Sequence, residues 1–209
     1  MNSVVMTVVS ALSQVVLFSL IPFIVWLIWQ RKKVSFPEYV GLKKPKRTAS
    51  WWIIIPLFAV YFVIYFFADR LYSGDAVQII QSSPDAAVSQ FAGLGAAAIF
   101  PAFVSTFVQN GFCEELLFRG FLCKRLIKWL GEPAGIIIQA AVFALIHNIM
   151  FIKIVPDLGF HLLIFGLITA QTMLLAIFNE KFFNGSIWLS ILLHGLGNFY
   201  TTMLAAFAK

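Results

Sequence analysis

Residues 1–30, MNSVVMTVVSALSQVVLFSLIPFIVWLIWQ, carry no charged side chain. A helix needs roughly 20 apolar residues to cross the hydrocarbon core of a bilayer, so this run is long enough to span one. Five more uncharged stretches follow, at 48–68, 86–113, 133–152, 158–179 and 182–208. Each is at least 20 residues long, and the expected fold is all-α: a polytopic membrane protein with six transmembrane helices. The first run lacks the positive opening region of a secretory signal; its first charge is Arg31, and it is expected to stay as a helix. Composition agrees. Of the 209 residues 61% are hydrophobic and 11% charged, against about a quarter charged in soluble domains, which excludes a water-soluble globule. The net charge of +6 does not by itself separate a nucleic-acid binder from a membrane protein. The positions of the charges do, and the expected partner is the lipid bilayer, with no nucleic acid.

Charge also orients the chain, because loops rich in Lys and Arg stay in the cytoplasm. Arg31, Lys32, Lys33, Lys43, Lys44, Lys46 and Arg47 lie between the first two spans, Arg119, Lys124, Arg125 and Lys128 follow the third, and Lys181 lies between the fifth and sixth. Arg70, Lys153 and Lys209 fall on the other side. Twelve against three predicts cytoplasmic basic loops and both termini outside. Residues 34–42 read as a short interfacial segment on the basic face, and 69–89, with Gly74 and Pro84, as an external loop. Two regions are expected: residues 1–90, a two-helix N-terminal part with its basic and external loops, and 91–209, a helical core. Trp26, Trp29, Trp51, Trp52 and Trp129 fall at span ends, as an interfacial aromatic belt requires. Cys113 and Cys123 have no metal-ligand or disulfide spacing and read as small apolar residues.

Ionisable groups inside a membrane are costly unless paired or watered, which makes each a functional candidate. The third span runs directly into Cys113-Glu114-Glu115-Leu116-Leu117-Phe118-Arg119-Gly120. Adjacent helical residues point about 100° apart, so Glu114 and Glu115 are expected to serve different partners. Glu115 and Arg119, four apart, are ordered for an ion pair. His147 lies in the fourth span, and His194 and Asn198 share a face of the sixth. At 1.5 Å per residue, Glu114 stands about 25 Å from Gly131 and His147 about 21 Å from Pro133, the two sides of one turn. His194 and Asn198 stand about 15 and 21 Å from Asn184. Three helices thus bring a carboxylate, two imidazoles and an amide to similar depth. A carboxylate in an apolar site can act as general base on a water that a histidine holds, while a second histidine and an amide donate to the oxyanion formed by attack on a carbonyl. The set suits amide hydrolysis in a membrane-embedded cavity. Glu114, His147 and His194 could instead ligate zinc beside an open water position, although an asparagine amide is a poor zinc ligand, and the favoured reading has no cofactor. His161, near the start of the fifth span, and Asn148 read as structural; for Gln109, Asn110 and Gln139 both cavity lining and interhelical bonding stay open.

Glu114-Glu115-x-x-x-Arg119-Gly120, Phe143-x-x-x-His147 and His194-x-x-x-Asn198, in this order on three apolar spans, resemble the three motifs of the CPBP family, the CAAX proteases and bacteriocin-processing enzymes that include the type II CAAX prenyl endopeptidases. The likeness extends over residues 91–207. It implies an intramembrane endopeptidase in which Glu114 activates water with His147, His194 and Asn198 form the oxyanion site, and Glu115 and Arg119 support them. The short chain and minimal loops look bacterial, so the implied substrate is a membrane-associated peptide or protein precursor and not a prenylated CAAX protein. Two rivals from other classes are a transporter or proton relay through the same glutamates and histidines, and a protease-like scaffold that cuts nothing. Oligomeric state is not legible.

Overall fold

The computed structural model describes residues 3–71, 79–80, 82–83 and 86–208. Most of the expected external loop at 69–89 therefore lies outside the described residues. Among those described there is no strand, and seven helical elements account for the fold. Helix α1, Ser3–Trp29, comes from the first uncharged run. It is followed by the one-turn α2, Phe36–Tyr39, within the expected interfacial segment, and by α3, Trp51–Leu71. Helix α4 is the 36-residue Gly95–Leu130, preceded by a single 3-10 turn at Ser89–Phe91. Helix α5 is Glu132–Phe151; α6 is Leu158–Ile177, prolonged by a π-helical turn at Phe178–Phe182; α7 is Trp188–Phe207.

Four of these, Val4–Trp29, Gly95–Leu130, Glu132–Phe151 and Leu158–Phe182, are long and apolar enough to cross a membrane among the described residues. The protein is a multi-pass membrane protein. The other two expected spans are present as helices. In α3, Trp51–Leu71, the apolar run within the described residues is Trp51–Ile64. In α7 the length is sufficient, but His194, Asn198, Thr201, Thr202 and two glycines dilute its hydropathy. The third span also starts later than the charge-free stretch at 86–113, at Gly95, and extends far past it, so that Glu114, Glu115 and Arg119 lie in the interior of a helix.

Burial follows a lipid logic. Leu12, Val16 and Leu17 of α1 are each at least 60% exposed, a surface that water would penalise and hydrocarbon does not. Packing inside is close. Tyr61 of α3, Leu175 and Phe178 of α6 and its extension, and Leu193 of α7 form one cluster, with Phe58 stacked on Phe178 at 4.7 Å between ring centroids. Gly131, at φ +85°, ends α4 in a conformation that a side chain rarely adopts, and Pro133 starts α5 in the next turn. Gly120 lets α2 reach α4: a Cβ there would lie 2.5 Å from the carbonyl oxygen of Val40. Ser186 Oγ donates to Lys43 O at 2.7 Å, and Ile187 N to Gly41 O at 3.0 Å, which fastens the α2 segment to the turn before α7.

The central stretch of α4 is not a regular α-helix. It is π-helical at Val104–Phe112 and again at Leu116–Cys123, with only Cys113–Glu115 in α-helical form between them. Such wide turns are rare and gather at functional sites. Cys113 and Cys123 are free and buried.

Candidate active site

The short α-helical step Cys113–Glu115 presents its two glutamates to different surroundings. Glu115 is fully buried, and its Oε1 lies 3.1 Å from Arg119 Nη1 in the i,i+4 ion pair that the spacing predicts. Arg119, itself 2% exposed, donates through Nη2 to Thr172 Oγ1 of α6 at 3.1 Å, and its guanidinium carbon lies 4.3 Å from the centre of the Phe143 ring. Three helices therefore hold one arginine, whose charge an apolar interior tolerates only when it is paired.

Phe143 is the hub of the site. Its ring meets Phe118 edge to face at 4.9 Å and His194 at 6.1 Å, and lies 4.3 Å from the ring of His147. Its carbonyl oxygen accepts from His147 Nδ1 at 2.9 Å. His194 Nδ1 donates to Glu115 Oε1 at 2.8 Å. Carbonyl and carboxylate oxygens only accept, so both rings carry their hydrogen at Nδ1, and each Nε2 is left for the site. Both point at one atom. Glu114 Oε2 lies 3.8 Å from His194 Nε2 and 3.9 Å from His147 Nε2.

These separations are too long for direct hydrogen bonds, which run from about 2.7 to 3.2 Å, and fit groups joined through a small molecule bonded to each. Glu114 Oε2 accepts no hydrogen bond from the described residues. The side chains of Glu114, His147 and His194 are 17%, 25% and 12% exposed, whereas Glu115 and Arg119 are sealed. The cluster thus has a reachable outer layer and a dry inner one.

Glu114, His147 and His194 come together, backed by Glu115 and Arg119. Asn198 stands half-buried one turn beyond His194 on α7, about 6 Å along the axis. One expectation is corrected: the adjacent glutamates do not serve different partners. Both reach His194, because the two nitrogens of an imidazole lie on opposite edges and one ring spans the angle between them. Zinc fits poorly. Tetrahedral ligand atoms about 2.1 Å from zinc stand about 3.4 Å apart, closer than the separations found, and no group of three or more His, Cys, Asp or Glu among the described residues is arranged to hold a metal.

Thr172 is a functional neighbour that sequence reasoning did not find; a threonine in an apolar run gives no signal. The role of Phe143 as hub also emerges only in three dimensions. The other polar residues tie helices together. His161 Nδ1 lies 2.8 Å from Asn148 Oδ1 and its Nε2 2.8 Å from Val155 O, bracing the α5–α6 connection. Gln109 Nε2 donates to Ser10 Oγ at 3.2 Å, and its carbonyl accepts from Gln14 Nε2 at 2.9 Å, joining α4 to α1. Gln139 differs: it is buried and donates within α5, to Ile136 O at 3.3 Å.

Comparison with known proteins gives one positive result. A family model described as type II CAAX prenyl endopeptidase Rce1-like matches residues 96–200, a segment that contains every residue of the cluster. No curated protein and no solved structure matches the chain.

Proposed function

The chain belongs to the Rce1-like family of type II CAAX prenyl endopeptidases, and from that membership we propose that it is an intramembrane endopeptidase that hydrolyses a peptide bond in a membrane-associated peptide or protein precursor with a glutamate-activated water. The observation that carries this reading is the convergence of two imidazole Nε2 atoms on Glu114 Oε2 at 3.8 and 3.9 Å.

The chemistry follows from the hydrogen-bond partners. Glu114 takes a proton from water as the oxygen attacks the scissile carbonyl. His147, with its hydrogen committed to Phe143 O, accepts the second hydrogen of that water at Nε2 and orients it. His194 already donates from Nδ1 to Glu115, so its Nε2 donates to the oxyanion only when the ring is doubly protonated. Asn198 is the second oxyanion donor. Collapse of the tetrahedral intermediate breaks the C–N bond, and the proton held by Glu114 passes to the departing amine.

The reading uses no metal. The basic loops face the cytoplasm and both termini lie outside. The substrate class is a membrane-associated peptide or protein precursor, and the prenylated CAAX substrate is not carried over from the family.

The test is a comparison of peptides released from membranes containing wild type and Glu114→Gln. Wild type should yield cleavage products that the variant, folded in detergent, does not, and a chelator should leave cleavage unchanged. Cleavage retained by Glu114→Gln overturns the assignment. Proton flux into liposomes that is lost in that variant, with no cleavage in either protein, would point to a relay instead.

A further inference from the structure

Away from the glutamate cluster, a cavity of about 680 Å³ opens between the C-terminal end of α1, the one-turn α2 and the last stretch of α4. Its volume is that of a small-molecule site. One wall is apolar, formed by Val25, Trp29, Phe121 and Trp129. The remainder carries cations from α4. Lys124 is spent, since its Nζ binds Glu180 at 2.5 Å and Gly185 O at 2.8 Å. Lys128 is exposed.

Arg125 is the unusual member. Its guanidinium carbon lies 4.0 Å from the centre of the Tyr39 ring and 5.8 Å from that of Phe121. Its Nε and Nη1 are buried and donate no hydrogen bond to any described residue. Glu38 lines the same cavity and accepts from neither nitrogen. A buried donor without an acceptor is costly, and native structures rarely leave one so. An arginine whose guanidinium lies over an aromatic ring keeps its N–H groups in the guanidinium plane, so that its rim is left for an anion.

We propose that this cavity binds one anionic phospholipid, with its phosphate on the edge of Arg125, Lys128 as the second cation and its acyl chains along the apolar wall. Both halves of the site choose the occupant. Free phosphate would satisfy Arg125 and leave the wall of tryptophan and valine unused. A choline lipid would set its own cation against Arg125 and Lys128. The wall is also open to hydrocarbon, since Trp29 and Trp129 are 62% and 71% exposed, and tryptophan with flanking basic residues is the signature of the interfacial depth at which headgroups lie. The lipid would join α1 and α2 to the end of the helix that carries Glu114, Glu115 and Arg119.

The experiment is native mass spectrometry of the intact protein in detergent, titrated in turn with phosphatidylglycerol, phosphatidylcholine of the same chains, and inorganic phosphate. Wild type should retain one phosphatidylglycerol at concentrations that leave phosphatidylcholine unbound, and millimolar phosphate should not displace it. Basic residues near an anionic surface contribute about fivefold each, so Arg125→Gln and Lys128→Gln should each weaken retention of phosphatidylglycerol by about that factor and leave phosphatidylcholine unaffected. Loss of the Tyr39 stacking could unfold the Arg125 variant; Arg125→Lys keeps the charge without the fork, and the exposed Lys128→Gln leaves the packing untouched. Equal retention of both lipids by wild type, or unchanged preference in Lys128→Gln, overturns the proposal. Binding of inorganic phosphate alone, or displacement of the lipid by a peptide with a free C-terminal carboxylate, overturns the lipid as occupant. None of these readouts depends on proteolysis.

Discussion

His194 Nδ1 lies 2.8 Å from Glu115 Oε1, so the second glutamate of the adjacent pair holds the ring whose other nitrogen faces the first. Glu115 is fully buried, so its proposed supporting role is exercised through the ring of His194. Glu115→Gln removes the counter-charge of both His194 and Arg119. Leaving one partner of a buried pair alone costs about 3–5 kcal/mol, to be read from unfolding in detergent. Adding Arg119→Met should restore most of that stability. Cleavage should not return with it, because His194 still lacks the carboxylate that holds its ring, and kcat should stay about 10²- to 10³-fold low, the cost of one oxyanion donor. A double variant that regains stability and kcat together would make Glu115 purely structural.

Thr172 supplies the acceptor for Arg119 Nη2 from a helix that contributes nothing else to the charge network. Thr172→Val keeps the shape and removes the acceptor. A hydrogen bond to a charged group in water-soluble proteins contributes about 1.5–3 kcal/mol, but side-chain bonds between membrane helices average about 0.6 and reach about 1.7. The expected loss is therefore about 1–2 kcal/mol, because this donor is charged and fully enclosed. Thr172→Ser should be close to wild type. Equal melting temperatures for the valine and serine variants would show that Arg119 is held by Glu115 and Phe143 alone.

Glu114, His147 and His194, which the structure brings together, are legible because each interrupts an apolar run, and counting turns from Gly131, Pro133 and Asn184 sets them at similar depth. Their grouping into a reachable layer is not. The 100° step between neighbours separates Glu114 from Glu115 only for a partner with a single contact atom, and His194 has two. The π-helical turns at Val104–Phe112 and Leu116–Cys123 leave no mark in composition. Thr172 is silent in sequence, since a threonine in a membrane helix can equally bond its own backbone. Helix number was read from gaps between charges, which detect α7 as readily as α1. Hydropathy distinguishes them, because α7 carries site residues where α1 carries aliphatic ones.

Close approach at glycine gives a test of packing that needs no substrate. In Gly120→Ala the new methyl group would meet the backbone oxygen of Val40 at 2.5 Å, and backbone cannot rotate away. Overpacking of this kind costs about 1–3 kcal/mol, and it should loosen α2 from α4. Gly166→Ala is the control. That position lies inside α6 with nothing within 4 Å, so alanine should gain up to about 1 kcal/mol from helix propensity. Thermal unfolding of both variants should move in opposite directions; a shift of the same sign would show that α2 does not seat on Gly120.

Asn198 follows His194 by one turn of α7 and is half-buried, and its proposed role is that of an oxyanion donor. As an oxyanion donor it acts only when charge develops on the carbonyl oxygen, so its contribution belongs to kcat and not to substrate affinity. Asn198→Ala should lower kcat by about 10²- to 10³-fold, equivalent to about 2.7–4 kcal/mol, with KM little changed. Asn198→Asp is the sharper variant. It keeps the volume, replaces the donor by an acceptor and adds a negative charge next to the developing oxyanion, so it should be slower than the alanine variant. Kinetics on a cleaved precursor decide: a fall of less than tenfold in Asn198→Ala, or an aspartate variant faster than alanine, would remove Asn198 from the oxyanion site.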